Sequence, residues 1–158
     1  METPCFDAVL PTPFGAFGIF TVGDVIAEVV YLPPGTPALP ARSAVADEAV
    51  HQIGRYLNDP DYRFQLPLRP AGTPFQQRVW DEISKIQRGR VHRYGDLAKR
   101  LASAPRAVGQ ACGANPFPPL IPCHRVVAAA GIGGFANQRD GFLIASKRWL
   151  LAHEGCPL

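Results

Sequence analysis

The sequence has no C-x-x-C pair, no apolar run of bilayer-spanning length, no internal repeat and no low-complexity tract. Its four cysteines, Cys5, Cys112, Cys123 and Cys156, stand far apart. They lack the paired spacing of a zinc site, so no metal and no cofactor are expected. They read as free thiols, because an intracellular chain of this size normally keeps its cysteines reduced. Charge is also sparse, at 18% of residues against 47% hydrophobic, which excludes a disordered polyelectrolyte. With no long apolar run, a membrane partner is not expected. The opening METPCFDAVLPTPF lacks the basic start and apolar stretch of a secretory signal, so the expectation is an intracellular protein, cytoplasmic if bacterial. What is there is 158 residues, enough for one compact domain or two small lobes.

The net charge of +3 hides an asymmetry. Residues 1–68 carry three basic and eight acidic side chains, for −5, and residues 69–158 carry thirteen and five, for +8. A segment this basic attracts polyanions through counterion release, but a solvated basic face kept for solubility fits the charge equally well. The division gives two expected lobes, 1–68 and 69–158.

In the first lobe, FGAFGIFTVGDVIAEVVY at 14–31 reads as two strands about a Gly23–Asp24 turn, a hairpin signal. Four prolines between Pro33 and Pro40 then impose a loop. Over 43–58, Val45, Ala49, Ile53 and Leu57 recur at steps of four, which predicts an amphipathic helix stopped by Asn58–Asp59–Pro60. Residues 62–68 are expected to form another strand.

The second lobe reads as helical. Thr73 with Gln76 three places on makes a capping box, and Pro74 suits the first helical position. Phe75, Val79, Ile83 and Ile86 follow at helical spacing, with Gly89 as the stop. After Tyr94, a helix over 95–102 carries Leu97, Ala98 and Leu101. Ser103–Ala104 breaks it, and Pro105 opens another helix, Arg106 to Ala114, in a helix-turn-helix pattern. That helix has only Ala, Val, Gly, Gln and Cys after Arg106, so its backbone can approach a partner surface closely. Arg106 stands where the helix dipole disfavours a cation, so structure alone gives it little reason to be there.

The string Ile121–Pro122–Cys123–His124–Arg125–Val126–Val127 puts a thiol, an imidazole and a guanidinium side by side. A cysteine in apolar company is more often packing than nucleophile. An unperturbed thiol is only about 3% thiolate at neutral pH, so a nucleophilic one needs a base or cation nearby. His124 is the nearest base. Adjacent residues on a strand face opposite ways, so His124 can serve Cys123 only from irregular backbone or through a water. The other imidazole nitrogen needs a partner, and Glu154 is the only acid after Asp140.

Pro122 to Val126 reads PCHRV, which resembles the active-site signature of the O6-alkylguanine-DNA alkyltransferases, the methylated-DNA–protein-cysteine methyltransferases. The resemblance extends over about 72–156, through GTPFQQRVW at 72–80, YGDLA at 94–98, RAVGQA at 106–111, NP at 115–116 and WLLAHEG at 149–155. It implies an α/β (α+β) fold with a small ribonuclease H-like β-sheet-plus-helix lobe and a mostly helical lobe with a helix-turn-helix. It also implies a monomer acting on double-stranded DNA that contains O6-alkylguanine.

On that resemblance Cys123 is the alkyl acceptor, and His124, oriented by Glu154, draws its proton through water. Tyr94 donates a proton toward the departing guanine and crowds the phosphate so that the nucleotide rotates out. Arg106 fills the gap in the stack, and the helix carrying Ala107 and Gly109 lies in the minor groove. Arg125 joins the DNA contacts. Asn115 supports the active-site turn, the carbonyls of Cys123 and Val126 accept from the guanine amine, and Phe135 and Lys147 belong to the pocket and its support.

Two departures stand out. Phe135 replaces the family's usual Tyr at the start of a loop, reaching to Lys147, that is about five residues longer than usual. Its extra residues lie among Ala136–Gly141, with Arg139 as a candidate phosphate contact. The path from Tyr94 to Arg106 is about two residues shorter. Two other functions compete: a lesion sensor without transfer, which in this family carries tryptophan at the acceptor position, and a thiol hydrolase using Cys123 and His124 over many turnovers. Cys123 itself argues against the first, and the helix-turn-helix with the basic balance against the second.

Overall fold

A computed structural model describes residues 5–133 and 141–158. The chain divides into two compact units, Met1–Pro70 and Ala71–Leu158.

The first unit is a three-stranded antiparallel sheet with one helix. Strands β1 (Ala8–Thr12), β2 (Gly15–Val22) and β3 (Val25–Leu32) lie in that order. The β2–β3 hairpin turns at Gly23–Asp24, and Gly23 takes φ +56°, a left-handed conformation that glycine adopts without strain. Helix α1 (Ala44–Asn58) starts on Ser43, whose Oγ accepts from the Ala46 amide. Phe17, Ile19, Ile26 and Val29 of the sheet and Ala46, Ala49, Ile53 and Tyr56 of the helix are buried.

Three expectations change here. The buried face of α1 is Ala46, Ala49, Gln52, Ile53 and Tyr56, whereas Val45 and Leu57 are half-exposed. A step of four overshoots a turn by roughly 40°, so a strict run of fours drifts off the face within two steps. Strand β1 escapes the sequence reading because Pro11 looks like a breaker, yet an edge strand tolerates proline. The strand expected over 62–68 does not form. Gln52 reaches across to that segment, accepting from the Gln65 amide at 2.9 Å and donating to its carbonyl at 3.1 Å. A side chain thus takes the bonds a ladder would have used. Pro67 has no N–H to offer, and the segment pairs with β3 only at Leu68–Ile26.

The second unit holds helices α2 (Pro74–Ser84), α3 (Tyr94–Arg100), α4 (Pro105–Gly113) and α5 (Phe142–His153). Both halves of the capping box form: Thr73 Oγ1 accepts from the Gln76 amide at 3.1 Å, and Gln76 Oε1 from the Thr73 amide at 2.9 Å. Helix α2 stops at Ser84, short of Gly89, although Ile86 beyond it is still buried. Gly72 takes φ +86°, and a Cβ there would come within 2.5 Å of the Trp80 ring. That close approach leaves the indole free to donate to the Ala111 carbonyl at 2.9 Å, joining α2 to α4.

Helices α3 and α4 form the helix-turn-helix. Leu97, Ala98, Val108 and Ala111 are its buried side, and Ala102 in the short turn takes φ 52°. Two two-residue strands absent from the sequence reading, β4 (His92–Arg93) and β5 (Val126–Val127), pair in parallel. They tie the approach to α3 to the residues just after Cys123. Among the described residues no helix is long and apolar enough to cross a membrane.

Candidate active site

The segment between α4 and β5 is held by side-chain clasps. Asn115 Oδ1 accepts from the Phe117 amide at 2.9 Å, and its Nδ2 donates to the Ile121 carbonyl at 2.8 Å. The Cys123 amide donates to that same carbonyl at 2.9 Å. Pro116, Pro118, Pro119 and Pro122 restrict the backbone in between. Cys123, His124 and Arg125 then form a single 3₁₀ turn. Its threefold winding frees adjacent residues from the opposite faces of a strand, and Cys123 and His124 are both buried.

His124 Nε2 lies 2.9 Å from Glu154 Oε2, with each side chain 1% exposed. Among the described residues nothing hydrogen-bonds His124 Nδ1. Burial holds the imidazole below its ordinary value of 6.5, against the pull of Glu154. Glu154 caps the C-terminus of α5. Burial alone would raise its carboxyl, but hydrogen bonds and charge from His124 and Arg125 together take it well below the usual carboxylate range.

Arg125 differs from its expected place among the DNA contacts. Its Nε donates to Glu154 Oε1 at 2.9 Å, its Nη2 to Glu154 Oε2 at 3.0 Å and its Nη1 to the Ile86 carbonyl at 2.6 Å. The side chain is only 14% exposed. A guanidinium committed on all three nitrogens to protein acceptors is not available to a phosphate, so that assignment is corrected.

A second thiol, which the sequence left without a role, bears on Cys123. The Cys123 thiol is raised above its ordinary value, first by a hydrogen bond with Cys112 of α4 and then by burial, while Asn115 and Lys147 pull it down. At neutral pH Cys123 is therefore a protonated thiol. No sequence signal marks Cys112 beyond its place three residues before Asn115, where the chain turns back. Replacing Cys112 by Ala should lower the Cys123 titration and speed its alkylation by iodoacetamide severalfold at neutral pH. The measurement needs a background in which Cys5 and Cys156 are replaced, and an unchanged rate would contradict the coupling.

Lys147 is fully buried and donates to the carbonyls of Val126 at 2.8 Å and Ile132 at 2.7 Å. Burial brings its ammonium down to about 8. It lies 5.9 Å from the centroid of the Tyr94 ring. The Val126 carbonyl, expected to meet a guanine amine, already accepts from Lys147 and keeps its second lone pair. Burial raises the Tyr94 phenol, as do Cys112 and Cys123, so it keeps its proton at neutral pH. On α4, Arg106 is exposed and Ala107 and Gly109 are half-exposed, with open space where a Gly109 side chain would stand. Phe135 and Ala136 to Asp140, with Arg139, lie outside the described residues. Gly141 before α5 takes φ 81°.

Residues 74–156 match the family model described as "6-O-methylguanine DNA methyltransferase, DNA binding domain". A methylated-DNA–protein-cysteine methyltransferase of Archaeoglobus fulgidus is 43% identical over 119 residues, covering 73% of this chain and 80% of that protein. The chain spans about half the length of Thermococcus relatives that it also matches. A Mycobacterium tuberculosis O6-methylguanine methyltransferase structure superimposes with a TM-score of 0.75 at 32% identity, covering 92% of this chain and 90% of that one. A structure of the Mycobacterium tuberculosis protein in complex with DNA gives 0.74 at 31%, covering 94% and 93%. With its acceptor-type cysteine, its helix-turn-helix and these matches, the chain belongs to the family of methylated-DNA–protein-cysteine methyltransferases.

Proposed function

We propose that this protein repairs DNA by transferring the alkyl group of O6-alkylguanine in duplex DNA to Cys123, once per molecule and as a monomer. The observation that carries the reading is a buried thiol next in sequence to a histidine whose Nε2 is engaged by Glu154 and whose Nδ1 has no partner among the described residues. In the reaction the Cys123 thiol proton passes through a water to His124 as sulfur attacks the alkyl carbon. The S–C bond forms while the O6–C bond breaks. Tyr94 hydrogen-bonds the guanine as charge develops on it. The raised thiol favours removing the proton during attack over storing a thiolate. The product is a thioether, which nothing in the site can cleave, so the reaction ends there.

Reaching the alkyl carbon requires the nucleotide to leave the stack. Arg106, exposed at the start of α4, is suited to fill the gap, and the small residues Ala107 and Gly109 let the helix approach the minor groove. The basic balance of the second unit supplies the sequence-independent attraction. Asn115 holds the acceptor segment, and the Val126 carbonyl and Lys147 shape its floor.

The test is to incubate the protein with duplex DNA carrying O6-methylguanine and weigh the Cys123 peptide. One methyl per protein, with no turnover beyond it, is expected. An unmodified peptide with the lesion untouched overturns the reading, and repeated turnover would favour the hydrolase. Arg106→Ala should slow repair of duplex roughly ten- to a hundredfold, since unpairing and unstacking cost a few kcal/mol. Repair of single strands should be nearly unaffected. Equal rates on duplex remove Arg106 from the role.

A further inference from the structure

The corrected position of Arg125 carries an inference of its own. Glu154 Oε2 is shared by two donors, His124 Nε2 at 2.9 Å and Arg125 Nη2 at 3.0 Å, while Oε1 takes Arg125 Nε at 2.9 Å. The guanidinium is held in turn by the Ile86 carbonyl just beyond α2. Arg125 therefore grips the carboxylate through both oxygens in the fork geometry that arginine offers and lysine does not.

A buried carboxyl beside a histidine has two ways to share a proton. Ionised, it accepts from Nε2–H and leaves Nδ1 as the bare ring nitrogen. Protonated, it donates to Nε2, the hydrogen moves to Nδ1, and Nδ1 can no longer take a proton from anything. A carboxylate that already accepts two guanidinium bonds has no reason to hold a proton of its own. We propose that Arg125 is a positioning residue that keeps Glu154 ionised and so fixes His124 as the Nε2–H tautomer, with Nδ1 free to receive the thiol proton. The proposal rests on the reading of His124 as the base for Cys123.

The same arrangement stops Glu154 from becoming the final resting place of that proton. With Arg125 fixed beside it, the proton stays on His124 while sulfur reacts. The charged groups that bear on His124 are Glu154 at the end of α5, Arg125 on its own turn and Lys147 within α5. Beyond α2, Arg88 donates to the backbone carbonyl of Glu154 at 3.3 Å.

The experiment reads the tautomer directly by ¹⁵N NMR of the His124 ring and, separately, the pH–rate profile of methyl transfer. In the wild type the neutral ring should show Nε2–H, and an Nδ1–H ring overturns the proposal without any variant. Arg125→Met should shift the ring toward Nδ1–H, move the histidine limb of the rate profile to higher pH, and slow transfer by on the order of ten- to a hundredfold. Arg125→Lys, which keeps the charge, should restore the position of that limb and part of the rate. A folded Arg125→Met protein with the wild-type tautomer and limb overturns the proposal. Should that variant not fold, the wild-type tautomer decides. A wild type that transfers no methyl to Cys123 overturns the repair reading instead, and leaves the tautomer measurement standing by itself.

Discussion

Cys123→Ala protein should leave O6-methylguanine in duplex DNA untouched at every time and at any excess of protein, a complete loss of transfer. The reaction needs a polarisable nucleophile at one point, and among the described residues the nearest other thiol is Cys112. That thiol sits on α4, outside the 3₁₀ turn that carries His124, and should not take over. A methyl group found on Cys112 would show the acceptor to be less defined than the geometry implies. Cys123→Ser tests the chemistry with almost no change of shape. Its hydroxyl is far less acidic than a thiol, and transfer should again be undetectable. DNA affinity should survive both changes, since Arg106 and α4 are unaltered. Removing one buried sulfur should cost about 1–2 kcal/mol of stability, measurable by denaturant titration.

The largest effect on stability is expected from Glu154→Ala. Glu154 and His124 are each 1% exposed, and Arg125 is bound to the carboxylate through two nitrogens. Removing the carboxylate leaves a largely buried guanidinium without its counter-charge, a change that costs about 3–5 kcal/mol. Against a typical domain stability of about 5–15 kcal/mol, this brings the fold near its limit. Glu154→Gln, which keeps volume and an acceptor oxygen, should cost less.

The pH dependence follows from the same groups. The Glu154 carboxyl is depressed in the folded state, so its contribution is whole above the ordinary carboxylate range and is lost as pH falls through that range and below. His124 is also depressed, so the unfolded chain takes that proton first and stability begins to fall below about 6.5. Wild-type stability should therefore drop in two stages on acidification, and Glu154→Ala should lose the lower one. Lys147, brought down to about 8 from 10.5, acts in the same direction at higher pH: stability should rise with pH between those values, where only the unfolded chain stays fully protonated. Denaturation midpoints measured from pH 3 to 10 check all three signs.

What the sequence made legible depended on whether a feature was local. The Thr73–Gln76 box, Pro74, the Gly23–Asp24 turn and the paired helices α3 and α4 each announce themselves within a few residues. Strands β4 and β5, of two residues each, are too short to show alternation, and β1 is masked by Pro11. The extended stretch before Leu68 has strand composition but takes its bonds from the side chain of Gln52, which no local pattern reveals. In the site, Cys123 and His124 are adjacent and could not be missed, and Glu154 was found by elimination. Arg125 was placed among the DNA contacts with the rest of the resemblance, and no local pattern shows which way its side chain turns. Its inward turn depends on the winding of 123–125 and on a carboxylate 29 residues away. Cys112 was invisible for a similar reason, since only the fold brings the end of α4 beside Cys123.

The Asn115 clasp and the four prolines of 116–122 have one more consequence, which concerns entropy. Proline narrows the unfolded chain as well as the folded one, so ordering this segment gives up less freedom than ordering seven ordinary residues. The clasp then fixes what freedom is left, on a carbonyl that also holds the Cys123 amide. Cys123 is thus placed by the fold itself, and on the proposed reading the encounter with a damaged base does not have to supply that order.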